Sequence, residues 1–381
     1  MTARLPLRAS LALAALCAAL AGTGCASRGG LQETLVDHLR LQIHERGLDP
    51  DDVELPFALT SEMREWARRA TDLGGDPEQR LQQLLQQLIH RGDAPLTYQS
   101  GHTASAREVW ESGRANCLAF THLFVGMARE VDLPVYYLRV SDLQSFEKDG
   151  DLVIASEHIT AAYGTANQRR VLDFSDRPVT PYHTVQPISD LTAVALYYSN
   201  RGAERIREGR TPEAVAVLDT AVRLDPELSD AWVNYGVALR RSNRAREAET
   251  AYRRALELDP GQVSAYQNLA ALLELQGRGG EARDLLAVTD RGANRNPYSY
   301  LALGDISLRE GRLDEAERFY RRALRLDPQQ AETSAALGLW ALSAGKTREA
   351  RAWLKKAEKL DPGNARVAQL ARQLKGSSRE S

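Results

Sequence analysis

The chain has 381 residues, 43% hydrophobic and 26% charged, with 27 Gly and 15 Pro, a composition that excludes collagen-like, disordered and membrane-spanning classes. Its net charge of −2 conceals a division: residues 1–30 carry three Arg and no acid, 31–194 carry 15 basic and 25 acidic side chains, and 195–381 carry 31 and 26. An acidic middle argues against a polyphosphate substrate, and the dilute excess of base after it is no nucleic-acid footprint, so no nucleic-acid partner is expected.

At the N-terminus, Arg4 and Arg8 precede an apolar run from Ala9 to Ala21, too short to span a bilayer as a helix and suited to the apolar region of a signal peptide. The stretch Leu20-Ala21-Gly22-Thr23-Gly24-Cys25 resembles the lipobox of bacterial lipoproteins, departing from it in having Gly22 where Leu is usual. The resemblance implies a lipoprotein signal peptide over residues 1–24 and lipidation of Cys25. Because Ala26 rather than Asp follows, it also implies an outer-membrane anchor facing the periplasm; plain secretion and a retained signal anchor are the alternatives. Residues 25–59 then form a tether and a helix. With Cys17 removed and Cys25 lipidated, Cys117 is the single free thiol and no internal disulfide is expected. A lone thiol in an oxidising compartment is either buried and inert or kept for chemistry.

Residues 60–180 begin helical. One helix is expected from Glu62 to Ala70, a second after Asp76-Pro77-Glu78, with Asp76 as N-cap and Gly92 just past its end, and a third from Cys117 to Glu130. The pattern then turns to strands at Pro134–Val140, Ile154–Tyr163 and Arg169–Phe174, with residues 142–151 as a polar loop and Arg177–Ile188 as linker, the boundary segment being 181–194. Helices followed by antiparallel strands read as α+β.

The chemistry centres on Cys117. Asn116 is a good N-cap, which puts the thiol in the first helical turn, where free N–H groups and the helix dipole favour thiolate. A structural buried Cys is the other reading. A two-residue turn at Thr165-Ala166 pairs Gly164 with Asn167 and sets His158 directly opposite Asp173, near enough for the carboxylate to orient the imidazole. A solvated sheet pair is the bland alternative, and a one-residue slip separates the two. Cys117 as nucleophile, His158 as base and Asp173 as orienter follow the logic of other triads. Trp110 and Tyr98 are candidates for a second oxyanion donor and equally plausible core aromatics. His102 and His122 are expected to be structural. No HExxH or CxxC spacing and no Gly-rich phosphate loop occurs, so neither metal nor cofactor is expected.

The segments RANCLAFTHLFVGMAREVDLPVYYLRV, SEHITAAY and RRVLDF, with Cys at a helix start and His and Asp on successive strands, resemble the transglutaminase-like superfamily over about residues 60–180. The resemblance implies a papain-like core and a thiol enzyme acting on amide bonds, as a cysteine peptidase, amidase or acyltransferase, with Cys117, His158 and Asp173 in the roles above.

Beyond residue 195 the chain repeats. Leu-Asp-Pro recurs with prolines at Pro226, Pro260, Pro328 and Pro362, a period of 34. The units start at Ala195, Ser229, Val263, Pro297 and Ala331, with Gly or Ala at the eighth position, Ala at the twentieth and a bulky residue at the twenty-fourth. These positions resemble tetratricopeptide (TPR) repeats, implying an all-α solenoid over 195–362 closed by a capping helix and tail in 363–381. The third unit, with Thr289 and Asn294 in place of Ala and Pro, is expected to end irregularly. Val233, Arg240, Arg241, Gln267, Tyr298, Asp305 and Arg309 are expected to line a groove for a protein or peptide partner. The expected protein is therefore a lipid-anchored periplasmic thiol enzyme whose repeats recruit a partner; a non-catalytic scaffold in an envelope complex is the alternative.

Overall fold

The computed structural model describes residues 30–89, 96–99, 101–149, 152–165, 168–174, 184–290 and 297–377. The expected signal peptide, Cys25, Gly92 and residues 175–183 lie outside the described residues.

Five helices come first: α1 (Gly30–Glu45), α2 (Ser61–Ala70), α3 (Pro77–Ile89), α4 (Ala106–Ser112) and α5 (Cys117–Glu130). Local capping explains where several start. Thr60 Oγ1 accepts from Met63 N (3.3 Å) ahead of α2, Asp76 Oδ2 accepts from Glu78 N (3.2 Å) at α3, and Glu108 Oε2 accepts from Ser105 N (2.7 Å) in the capping box that opens α4. Helix α5 is buried continuously from Leu118 to Arg129, as a helix apolar on most sides must be. Gly126 lets it approach so closely that a Cβ there would overlap the Phe57 carbonyl.

Between these helices, β1 (Thr97–Tyr98) and β2 (Arg114–Ala115) make a short parallel pair. The main sheet is antiparallel, with β3 (Val135–Asp149), β4 (Leu152–Thr165), β5 (Gln168–Leu172) and β6 (Val185–Ile188) in the order β5-β4-β3-β6. Two expectations are corrected here. The polar segment 142–151, expected as a loop, is strand through Asp149 and again from Leu152, with a register irregularity between Val140 and Ser145. Main-chain ladder bonds hold this hairpin, and side-chain composition does not report them. The expected linker 181–194 contains β6, which pairs with β3 from Tyr137↔Ile188 to Val140↔Val185, and then the start of the next helix at Asp190. Pro187 disguised this strand, but β6 is an edge, where a missing N–H is tolerated.

The repeats follow as helix pairs: α6 (Asp190–Arg207) and α7 (Thr211–Leu224), α8 (Ser229–Arg241) and α9 (Ala245–Leu258), α10 (Val263–Leu275) and α11 (Gly279–Asp290), α12 (Pro297–Arg309) and α13 (Leu313–Leu326), α14 (Ala331–Ser343) and α15 (Thr347–Leu360). The capping helix is α16 (Ala365–Ser377). Four pairs begin at the expected unit starts, whereas the first begins at Asp190, capped by Ser189 Oγ accepting from Thr192 N (3.0 Å). Within hairpins the eighth position touches the twenty-fourth: Gly202 faces Leu218, Gly236 faces Tyr252 and Gly304 faces Tyr320. In the last repeat Gly338 instead faces Leu370 of α16, so the capping helix closes the gap. Helix α11 is regular to Asp290, and the expected irregular end at Asn294 lies outside the described residues.

The first repeat shares one core with the α+β domain, in which Phe57, Leu123, Phe124 and Tyr137 pack in the same cluster as Leu191, Val194, Leu196 and Val222. Polar bonds reinforce the junction. Arg129 makes two 2.8 Å bonds to Asp190, Tyr197 Oη donates to Glu54 Oε2 (2.9 Å), and Tyr198 Oη accepts from Glu54 N (2.8 Å). Farther along, β4 contacts α8 and α10. No helix among the described residues is long and apolar enough to cross a membrane.

Candidate active site

Asn116 does what its position predicts. Its backbone is extended (φ −86°, ψ −177°), and its Oδ1 accepts from Ala119 N (2.8 Å). Cys117 therefore opens α5, and its side chain is partly exposed. On β4, His158 is 8% exposed, and its Nε2 lies 2.9 Å from Asp173 Oδ1. With Nε2 engaged by Asp173, the other ring nitrogen remains for the thiol, and Cys117 is close enough to join Asp173 in raising the imidazole's pKa. Thiol, imidazole and carboxylate thus form one chain of contacts assembled from α5, β4 and the end of β5.

The strand register that achieves this differs from the expected one. Thr165 pairs with Gln168 and Gly164 with Arg169, so the turn is displaced and the partner of Ala161 is Leu172. His158 and Asp173 are not directly opposite. They still meet because a displacement of two residues keeps both side chains on the same face, where diagonal neighbours remain within reach of long side chains. Two further contacts hold Asp173 there: Thr160 Oγ1 donates to Leu172 O (2.5 Å), and the Phe174 ring packs against Phe120 and Phe124 of α5, with centroids at 3.9 and 5.5 Å.

The electrostatics favour a charged imidazole. Burial opposes protonation of His158, but hydrogen bonds to Asp173 and Cys117 and their negative charge outweigh it and raise the group to about 9. A folded-state value above the unfolded one, about 6.5, contributes stability that is fully present below pH 6.5 and is lost as pH rises through 9. The expected result is that the Tm advantage of the wild-type chain over His158→Gln narrows between pH 6.5 and 9. A constant difference across that window, measured by differential scanning calorimetry, contradicts it.

Other sequence candidates fall outside the constellation. Trp110 is a core aromatic, edge-on to Trp66 at 5.2 Å, and Tyr98 is about half exposed on β1. His122 is fully buried, its Nδ1 is 2.9 Å from Tyr137 Oη, and burial lowers it to about 3, which keeps the ring neutral. The sequence reading missed Thr103, which is buried and whose Oγ1 accepts from Asn116 Nδ2 (2.9 Å). Nothing in the local sequence marks it, because its role comes from a contact with Asn116 thirteen positions on. No group of three or more His, Cys, Asp or Glu suited to a metal ion occurs among the described residues.

The expected groove residues divide. Val233 is buried between repeats with Ala255 and Ala265, Gln267 Nε2 donates to Ser299 Oγ (3.0 Å), and Arg241 Nη1 donates to Ile206 O (2.9 Å). Inter-repeat packing therefore claims Val233 outright, because the face inferred for it from the repeat pattern turns inward. Tyr298, Asp305 and Arg309 line a cavity of about 210 Å³ together with Arg366 of α16, which pairs with Asp305 at 2.9 and 2.7 Å.

With this geometry in view, comparison with known families gives matching regions for both halves. The transglutaminase-like superfamily matches residues 64–149, and tetratricopeptide repeat families match residues 200–263, 251–284, 276–331 and 307–374. No curated protein matches the chain significantly. Among solved structures, Pseudomonas aeruginosa pilF is 22% identical with a TM-score of 0.44, covering 50% of this chain and 87% of its own. A thermophilic TPR protein of Thermus thermophilus is 22% identical with a TM-score of 0.42, covering 47% and 98%. YrrB, described as a TPR protein with an unusual peptide-binding site, is 20% identical with a TM-score of 0.35, covering 47% and 92%. The chain accordingly carries a transglutaminase-like superfamily domain followed by an array of tetratricopeptide repeats.

Proposed function

We propose that this protein is a thiol enzyme of the cell envelope that cleaves or transfers an amide bond through an acyl intermediate on Cys117. The observation that carries the reading is the convergence of the Cys117 thiol, the His158 ring and the Asp173 carboxylate, three residues from separate elements, with His158 bonded to Asp173 and electrostatically coupled to Cys117. Cys117 Sγ, as thiolate, attacks the amide carbonyl carbon, and the carbonyl oxygen takes the negative charge. The Cys117 N–H is a natural donor to that oxygen, since the Asn116 cap is committed to Ala119. Collapse breaks the C–N bond, and the His158 imidazolium gives its proton to the departing amine while Asp173 holds the ring. Water or a second amine, deprotonated by His158, then attacks the thioester and regenerates the thiol.

The repeats would bind a protein or peptide partner and bring it to the site, a role favoured by the contact of β4, the strand bearing His158, with the first helices of the second and third repeats. The N-terminal run ending at Cys25 supports lipid anchoring to the outer membrane, facing the periplasm. Incubation of the full chain with peptide mixtures, with and without an added primary amine, followed by product mass analysis, tests the chemistry. Hydrolysis or amine incorporation is expected with wild type and not with Cys117→Ala at unchanged Tm. Wild-type activity in that variant overturns the thioester route, and no product from either protein leaves a scaffold lipoprotein.

A further inference from the structure

The first helix of the repeats reaches the residue that supports the nucleophile's cap. Thr103 is buried, and both of its main-chain polar atoms bond to side chains of α6. Its N–H donates to Glu204 Oε1, and its carbonyl accepts from Arg201 Nη1 (3.2 Å). Arg201 also reaches Glu108 Oε1 (3.5 Å) in the α4 capping box. What remains of Thr103 is its hydroxyl, and it accepts from Asn116 Nδ2 (2.9 Å). The Ala119 N–H, which can only donate, fixes Asn116 Oδ1 as the cap of α5, and the Thr103 hydroxyl gives the remaining Nδ2 its acceptor and so pins the amide in that orientation.

We propose that Glu204 and Arg201, together with Thr103, are positioning residues for Cys117, holding the Asn116 cap from the first repeat, so that the catalytic unit of this protein includes α6. The inference rests on Cys117 being a reactive thiol. An Asn side chain without an acceptor for its amide can rotate away, and the first helical turn then frays. Cys117 is the first residue of that turn, and its main-chain N–H and Sγ both take their direction from it. Glu204 suits the task because it is buried enough that its carboxyl sits above the usual range, while the Thr103 hydrogen bonds and the Arg201 charge favour the carboxylate.

The test is the alkylation rate of Cys117 by iodoacetamide against pH in the full chain, resolved by peptide mass spectrometry because Cys17 and Cys25 also carry sulfur. Thr103→Val and Glu204→Met are expected to lower the rate at pH 7 about five- to tenfold and alter its pH profile, whereas Thr103→Ser and Glu204→Gln, which keep an oxygen acceptor, restore it. A merely structural role predicts a lower Tm with an unchanged profile in the folded fraction, and that result overturns the proposal. If either apolar variant fails to fold, the other carries the comparison. His158→Ala separates the two readings. A wild-type thiol that is slow and indifferent to this change defeats the enzyme reading and the positioning with it. A thiol that responds to His158→Ala but not to the variants at Thr103 and Glu204 defeats the positioning alone.

Discussion

His158→Ala is expected to slow alkylation of Cys117 at pH 7 by about tenfold. The reason lies in the charge held beside the sulfur. In the folded chain the imidazole stays protonated to about 9, through bonds to Asp173 and Cys117 that overcome its burial, so at pH 7 the thiol faces a cation. An isolated Cys is only a few per cent thiolate at neutral pH, which bounds the gain from full ionisation at roughly thirtyfold. The lower intrinsic nucleophilicity of a stabilised thiolate takes back part of that gain. The advantage of wild type should close above pH 9, as the imidazolium loses its proton. Asp173→Asn should act in the same direction and more weakly, because the ring keeps a partner but loses the carboxylate charge. Rates that are equal in wild type and His158→Ala, with both proteins folded by circular dichroism, contradict this prediction.

The second large effect is on stability. Arg129 is 5% exposed, makes its two 2.8 Å bonds to Asp190 at the start of α6, and donates from Nε to Val135 O (3.2 Å). The paired carboxylate holds the guanidinium firmly charged despite burial that works against it. Asp190→Ala leaves that cation buried without its counter-charge and should destabilise the chain by about 3–5 kcal/mol. The double variant Arg129→Met/Asp190→Leu should recover much of the loss, since a matched apolar pair removes the unpaired charge instead of exposing it. Denaturant unfolding of the wild type, the single variant and the double variant measures this directly. An Asp190→Ala loss below about 1 kcal/mol would show that water reaches the pair. Because Asp190 opens the first repeat and Arg129 closes α5, the same experiment tests whether the two halves unfold together, as their shared core implies.

Features that rest on local chemistry or on a fixed period could be read from the residues alone. Asn116 as cap, the helix from Cys117 to Glu130, and unit starts at Ser229, Val263, Pro297 and Ala331 were all legible, because capping and a 34-residue repeat are written in neighbouring residues. The nearness of His158 and Asp173 was legible as well, although through a register that proved displaced. Side-chain alternation tolerates a two-residue error and would not have tolerated one.

Tertiary structure decided the rest. Whether residues 185–188 were linker or strand depended on the free edge of β3, and the strand through Asp149 depended on its partner in β4. Leu370 rather than Leu354 facing Gly338 depended on how α16 docks. The links from Glu204 and Arg201 to Thr103 join residues about a hundred positions apart. No spacing rule encodes such contacts, because they exist only once the first repeat has folded against the domain before it.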